Sequence, residues 1–193
     1  STEQNPNHTY DQDGTFTVTL TVTDTDGSSD THVETDYITV HDSDPTASFT
    51  ADSTSGTEPL TVGFSDTSTA YDGVVARLWD FGDGATSTEQ NPNHTYDQDG
   101  TFTVTLTVTD TDGSSDTLVE TDYITVSDSG PSAAFDADPT SGPEPLTVVF
   151  TDTSAAHDGL AAWHWDFGDG ATSTIPDPSH EYTQEGIYTV TLT

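Results

Sequence analysis

Apolar residues alternate with threonine through TFTVTLTVT at residues 101–109, placing Phe102, Val104, Leu106 and Val108 on one face and the threonines on the other. A two-residue period of this kind predicts a β-strand with one face buried and one in water. Shorter runs repeat the pattern: Ala47, Phe49 and Ala51; Leu60, Val62 and Phe64; Trp79 and Phe81 within VARLWDF; and Ile124 and Val126 at the end of a strand from Leu118 to Val126. Between them lie STSGTEP, Asp72-Gly73, the GDG after Phe81, and DTDGSSD, all rich in residues that favour turns. Helical periodicity is absent from every window longer than a few residues. About seven short strands between residues 44 and 129 predict an all-β, antiparallel, immunoglobulin-like sandwich, with length enough for one modest core.

The pattern recurs along the chain. Trp79 begins WDFGDG and Trp165 begins it again, an offset of 86 residues, and at that offset residues 1–31 recur unchanged as residues 87–117. Such a period is the mark of a tandem array. It divides the chain into the C-terminal half of one repeat (residues 1–43), a complete repeat (44–129) and the N-terminal part of a third (130–193). No single-copy segment is left to house a separate enzyme. The expected parent is a longer covalent array, its domains related by a nearly constant rotation and spaced about 40 Å apart. Donor-strand exchange between chains is disfavoured, because residues 1–21 and 173–193 are the same part of the repeat and would compete for one place.

Charge changes the picture. Arg77 is the single Lys or Arg against 27 Asp and 8 Glu, for a formal net charge of −34, and only 30% of residues are hydrophobic. Such a composition usually signals disorder, but here the apolar residues are strictly patterned. A folded chain so charged repels itself in dilute buffer. Molar salt, with a Debye length of about 3 Å, removes most of that repulsion. Asp in place of Lys resembles the surfaces of extreme halophiles, so a halophilic archaeal surface or secreted protein is the expected source. One basic residue cannot neutralise phosphates, which excludes nucleic acid as a partner. No apolar run suited to membrane insertion is present, and the absence of Cys does not fix the compartment.

The hexapeptide raises the question of chemistry. Trp79, Asp80, Phe81, Gly82, Asp83 and Gly84 recur as Trp165, Asp166, Phe167, Gly168, Asp169 and Gly170. Two carboxylates could serve acid-base work or metal binding, but the expectation is that no partner His, Cys or nucleophile stands at a fixed spacing from them. As scaffold, the aromatic pair fills the core, the glycines permit unusual backbone angles, and Asp80 and Asp83 bond turn amides. The scaffold reading is preferred. His8, His94 and His180 precede Tyr10, Tyr96 and Tyr182 by two residues, a position suited to a tyrosine corner with the phenol bonded to nearby backbone. His32, His41, His157 and His164 become Leu118, Ser127, Tyr71 and Leu78 in other copies, so they form no repeated metal site.

No cofactor is required by these motifs; calcium is the ionic candidate, since hard cations take oxygen ligands. DTDGSSD places Asp24, Asp26 and Asp30, and again Asp110, Asp112 and Asp116, around one turn. The D-x-D-G core is similar to half an EF-hand loop but lacks the further carboxylate before Gly and the terminal Glu. The linkers offer a second place, where Asp42 and Asp44, or Asp128, stand beside Pro45 or Pro131. Asn7 and Asn93 head N-x-Thr sequons, candidates for glycosylation in an extracellular or surface protein.

WDFGDG, then HTY, then DGTFTVTLTV and a closing YITV resemble the PKD domain, named from the polycystin ectodomain. The resemblance covers essentially the whole chain; the third copy keeps it with HEYTQEGIYTVTLT, where Ile175 and Pro176 replace Glu89 and Gln90. It implies a non-catalytic immunoglobulin-like module of surface and secreted proteins, used as spacer, adhesive element or accessory domain beside hydrolases.

Three functions follow. The leading one is a structural surface array, a stalk, fibre or adhesion scaffold built from near-identical domains through short linkers, in lateral contact with its own copies or neighbouring repeats. The second is a module binding polysaccharide, cell-surface glycans or proteins, with Trp163 and Trp165 of AAWHWDF as an aromatic platform, although Arg77 stands where Trp163 does. The third is an accessory region of a secreted hydrolase whose catalytic domain is outside these residues.

Overall fold

The computed structural model describes residues 1–193. All regular structure is β. A hairpin opens the chain, β1 (Gly14–Thr23) with β2 (Ser29–Val40). The central unit contains β3 (Phe49–Ala51), β4 (Ser55–Thr57), β5 (Leu60–Asp66), β6 (Val74–Asp80), β7 (Thr86–Ser87), β8 (Asn93–Tyr96), β9 (Gly100–Asp110) and β10 (Ser115–Ser127). The third comprises β11 (Phe135–Asp138), β12 (Leu146–Asp152), β13 (Trp165–Asp166), β14 (Thr172–Ser173), β15 (Ser179–Tyr182) and β16 (Thr191–Leu192).

The central unit is a sandwich of a five-stranded sheet, β4-β10-β9-β6-β7, and a three-stranded sheet, β3-β5-β8. The threonine strand β9 lies at the middle of the larger sheet, antiparallel to both β6 and β10. One pair departs from the expected antiparallel order. STSGTEP, read above as a turn, contributes β4, which runs parallel to β10 with Ser55 opposite Thr125. A bulge in β10 between Glu120 and Ile124 holds Asp122 at φ 53°, and Asp36 takes φ 52° at the matching place in β2. Asp tolerates this left-handed conformation better than branched residues do, and an irregularity here lets a long strand bend over the core.

Twelve buried residues make the central core, among them Val62, Phe64, Trp79, Phe81, Tyr96, Val104, Leu106, Val108, Ile124 and Val126. Phe49 meets Trp79 edge-on at 5.2 Å between ring centroids, and Phe64 meets Phe81 at 5.3 Å, within the range at which aromatic pairs attract. The third unit has a smaller cluster of Val148, Phe150, Trp165, Phe167 and Tyr182. In the N-terminal hairpin Val18, Leu20 and Val22 are exposed, although β1 has the sequence of residues 100–109 of β9. The alternation therefore makes the strand; the facing sheet makes the core.

Candidate functional site

The WDFGDG segment is a clamped turn. Trp79 is fully buried and its indole N–H donates to the Glu89 carbonyl at 2.9 Å. Asp80 Oδ1 accepts from Gly82 N at 2.9 Å, and Asp83 Oδ1 from Ala85 N at 3.0 Å. Gly82 has φ +85°, and a Cβ there would fall 2.4 Å from the Thr103 carbonyl oxygen, so the motif packs directly on β9. The Tyr96 hydroxyl donates to the Phe81 carbonyl at 3.2 Å, a bond back to backbone that reaches across the turn.

The histidine missing from the hexapeptide is supplied by β8. His94 Nε2 bonds Asp83 Oδ2 at 2.7 Å, and its ring stacks on Phe81 with centroids 4.2 Å apart. The third unit repeats each feature, with His180 on Asp169 at 2.7 Å and on Phe167 at 4.3 Å. The reading that no histidine accompanies the motif is thus corrected. The signal was available in sequence, since His follows the second Asp of the motif by the same interval in both copies. Burial raises the Asp83 carboxyl, but the Ala85 N–H and His94 outweigh it and hold it below the usual carboxylate range. Asp83 and His94 are engaged with each other and with the turn, which makes them fasteners between β8 and the β6–β7 corner.

Trp163 does not form an exposed platform. It is half-buried against the core, and its indole N–H donates to Asp152 Oδ2 at 2.7 Å. Arg77 does the same work in the central unit, pairing with Asp66, so the unlike side chains at this position serve one carboxylate. Trp165 lies in the core. Asn7 and Asn93 are both exposed.

The acidic turns behave differently in their two copies. In the N-terminal hairpin Asp24 Oδ1 accepts from Asp26 N and Ser28 N, Asp26 Oδ1 accepts from Ser28 N, and Asp30 points into solvent on β2. In the central unit Asp110 is only 1% exposed; Gly113 N donates to its Oδ1, and its Oδ2 has no partner. Carboxylate oxygens of Asp110, Asp112 and the linker residue Asp42 lie within 4.8 Å of one another. The turn and the linker, two separate candidates in sequence, thus meet at one place. A hydrogen bond in which the protonated Asp112 carboxyl donates to Asp110, followed by desolvation and the charges of Asp110, Asp42 and Asp72, pushes the Asp112 carboxyl up to about 6. Asp116 stands apart, its Oδ2 accepting from Ala47 N at 2.9 Å.

A second cluster joins the central and third units: Glu58, Asp128 and Asp158, again within 4.8 Å. Across the same junction His157 Nε2 donates to the Asp97 carbonyl at 2.9 Å. Glu58 was not singled out in sequence. Both clusters offer oxygen donors only, the set that suits calcium or magnesium.

A cavity of about 710 Å³ is lined by Leu146, Val148, Phe150, Tyr182, Tyr188 and Val190 in the third unit. Their counterparts in the central unit pack with Ile124 and Val126 of β10 in a single core, so this space is a core surface and not a ligand pocket.

A model of the PKD domain matches residues 1–40, 42–126 and 129–193. The chain belongs to the PKD domain family. PKD domains are non-catalytic modules, consistent with a motif whose polar groups serve the turn. Seventy-seven residues are 39% identical to the pre-pro-metalloprotease PrtV of Vibrio cholerae, covering 39% of this chain and 8% of that protein. Collagenase ColA of Bacillus cereus is 44% identical over 41 residues, 21% of this chain and 4% of that protein. The chain thus spans less than a tenth of the length of these curated relatives. The crystal structure of the PKD1 domain of Vibrio cholerae PrtV is 44% identical, over 43% of this chain and 96% of that one, with a TM-score of 0.38. These relatives are bacterial, and they give no support to the halophilic archaeal source expected from the charge.

Proposed function

We propose that these PKD domains are a non-catalytic accessory segment of an extracellular hydrolase, holding a catalytic domain at a set distance from a polymeric substrate. The observation that carries this reading is that PKD sequence of this kind forms a small part of proteins named as a metalloprotease and a collagenase. It replaces the surface array as the leading reading. Exposure of the Asn7 and Asn93 sequons fits an extracellular location. We further propose that calcium at Asp42, Asp110 and Asp112 stiffens the first junction, so that the domains act as a spacer rather than a loose tether. One observation favours the covalent surface array as a second reading, the identity of residues 1–31 with residues 87–117. Lateral contact with like chains, and adhesion to cell-surface glycans or proteins, belong to that second reading.

Excision of the PKD segment from the native protein tests the proposal. Turnover of a small soluble substrate should be unchanged while turnover of the insoluble polymer falls. A native polypeptide that proves by intact mass and peptide mapping to consist only of further PKD repeats would overturn the accessory reading in favour of the array.

A further inference from the structure

Strand β8 is an edge. It closes one side of the three-stranded sheet β3-β5-β8, so the backbone groups on its far side face no partner strand. Its inward residues are engaged: His94 stacks on Phe81 and bonds Asp83, and Tyr96 is buried. By alternation Asn93 and Thr95 point to the opposite face, and both are exposed. They are the acceptor and the hydroxyl residue of the sequon Asn93-His94-Thr95. The folded strand thus presents both side chains on one open face, with Thr95 Oγ1 2.8 Å from Thr61 Oγ1 of β5. Asn91, by contrast, is committed to the scaffold, its Oδ1 accepting from Asp66 N at 2.9 Å.

Two positions change together with the sequon. Gly63 lies opposite Asn93 in the ladder, inside β5, where a glycine weakens a strand and commonly marks a close approach. It is not among the glycines of positive φ, so backbone conformation does not account for it. A Cβ there would stand 2.9 Å from Asp52 Oδ2 and 3.1 Å from Asn93 Oδ1. The third unit separates these two contacts. It keeps the aspartate, as Asp138, but has Ser179 in place of Asn93, and there the glycine has become Val149, 52% exposed. The asparagine, not the aspartate, is what the glycine makes room for. The second change is at the sequon threonine: Glu181 of β15 lies opposite Thr147 as Thr95 lies opposite Thr61. Charge on an edge strand, most often lysine, guards it against pairing with another chain. Lysine is absent from this protein. Strand β15 has Glu181 on its exposed face; β8, with Asn93 and Thr95 there, has no charge.

We infer that Asn93 carries an N-linked glycan that guards the free edge of β8, the part that Glu181 plays for β15. The acceptor atom is the carboxamide nitrogen, Nδ2. It attacks C1 of a sugar held as a glycosyl phosphate on a lipid or nucleotide carrier: the C1–N bond forms as the C1–O bond breaks, the phosphate leaves with the electron pair, and one amide proton is released. A sugar on this face overhangs the unpaired edge and keeps another strand from closing to the ladder spacing of about 4.8 Å. Gly63 leaves the Asn93 side chain the space to hold it. The third unit lacks the sequon and stays unmodified at Ser179. Of the reading proposed above, the inference rests on the extracellular location alone, because sequons are used on chains that are secreted or displayed.

The test uses the native protein and variants made in its own host. Cleavage before aspartate releases residues 83–96 as one peptide, DGATSTEQNPNHTY. Mass spectrometry should find it heavier by whole sugar residues, and fragmentation should place them on Asn93. N93S, N93Q and T95E should return it to the unmodified mass, while T95S should keep the sugar. Sedimentation in about 1 M KCl, which screens the mean repulsion between chains, then reads the guard. N93S and N93Q, which have neither sugar nor charge at the edge, should reach a weight-average mass about twice that of wild type or more, and T95E, which brings in the charge of the third unit, should match wild type. Circular dichroism separates association of folded chains from unfolding, and N93S and T95E each introduce a residue that the third unit already holds at that place. A native protein recovered outside the cell with Asn93 unmodified, or with the sugar on a threonine, would overturn the inference and leave the accessory reading standing. Folded N93S and N93Q that sediment as wild type does, or a T95E that associates as they do, would overturn the guarding role. Unmodified protein confined to the cell interior would overturn both the inference and the extracellular location.

Discussion

Gly82 and Gly84 stand two residues apart in one turn, and both have positive φ, yet they are held by different forces. At Gly84 nothing lies within 4 Å of an added Cβ, so Gly84→Ala meets only the backbone preference, a cost of about 1 kcal/mol for a left-handed residue. At Gly82 the same methyl would meet the Thr103 carbonyl at 2.4 Å and its amide nitrogen at 3.0 Å, both backbone atoms of the central strand. Gly82→Ala must move β9 or the turn, and should cost about 3 kcal/mol or more in urea denaturation, in the range of overpacked sites. Equal costs at the two positions would contradict the direct packing of the turn on β9. Asp66 supplies a second test. Burial raises its carboxyl, but Ser68 and then Arg77 outweigh this and hold it below the ordinary value. A folded value below the unfolded one contributes stability that is present above the unfolded pKa of about 3.9 and is lost as pH falls through the folded value. The stability difference between wild type and Arg77→Gln, measured in about 1 M salt to screen other carboxylates, should be flat from pH 7 to 5 and shrink below about pH 4. A difference independent of pH down to strong acid would mean that Arg77 acts by packing alone.

At the scale of the strand, the chain contains its own control. Leu20 and Leu106 occupy the same place in identical sequence, but Leu20 is 61% exposed and Leu106 fully buried. Leu106→Ala should therefore cost about 2–5 kcal/mol and Leu20→Ala no more than about 0.5 kcal/mol, as read from denaturation midpoints. Comparable losses would show that β1 is packed in solution. The comparison also explains what was legible beforehand. Strands β5, β6, β9 and β10 follow from local alternation, and alternation is a property of a few consecutive residues. Burial of Trp79 and Phe81 follows from their size and from the turn beside them. By contrast, β4 looked like a turn because Ser55–Thr57 gains strand geometry only from β10, some seventy residues on. The His94–Asp83 bond required β8 to pack against the β6–β7 corner. The junction clusters needed both linkers in place; Asp110, Asp112 and Asp42 were each visible as candidates, while Glu58 showed no pattern of its own and was distinguished only by burial.

For the whole molecule the charge of −34 has to be judged by distance rather than by its total. Sharing 12574 Å² of surface among 34 net charges gives about 370 Å² each, or roughly 19 Å between neighbours. The Debye length is about 30 Å at 0.01 M salt and about 10 Å at 0.1 M, so general repulsion is strong in the first and largely screened in the second. Molar salt is not needed for that part, which removes the physical basis for reading a halophile from charge alone. The exceptions are the two junctions, where carboxylates stand within 4.8 Å, closer than the Debye length at 0.1 M. On the proposal that these junctions take a cation, their repulsion would be offset by a bound ion or, less completely, by about 1 M salt with its Debye length near 3 Å. Thermal unfolding should accordingly show two regimes. With a chelator present, the midpoint should rise steeply between about 0.01 and 0.1 M sodium chloride and continue to rise up to about 1 M. Millimolar calcium at constant ionic strength should abolish most of the second rise and little of the first, because it answers the junctions and not the mean surface field. A midpoint unchanged across the whole salt range in chelator would show that these carboxylates are tolerated without screening, and one that climbs only above about 0.5 M, with or without calcium, would restore the halophile argument.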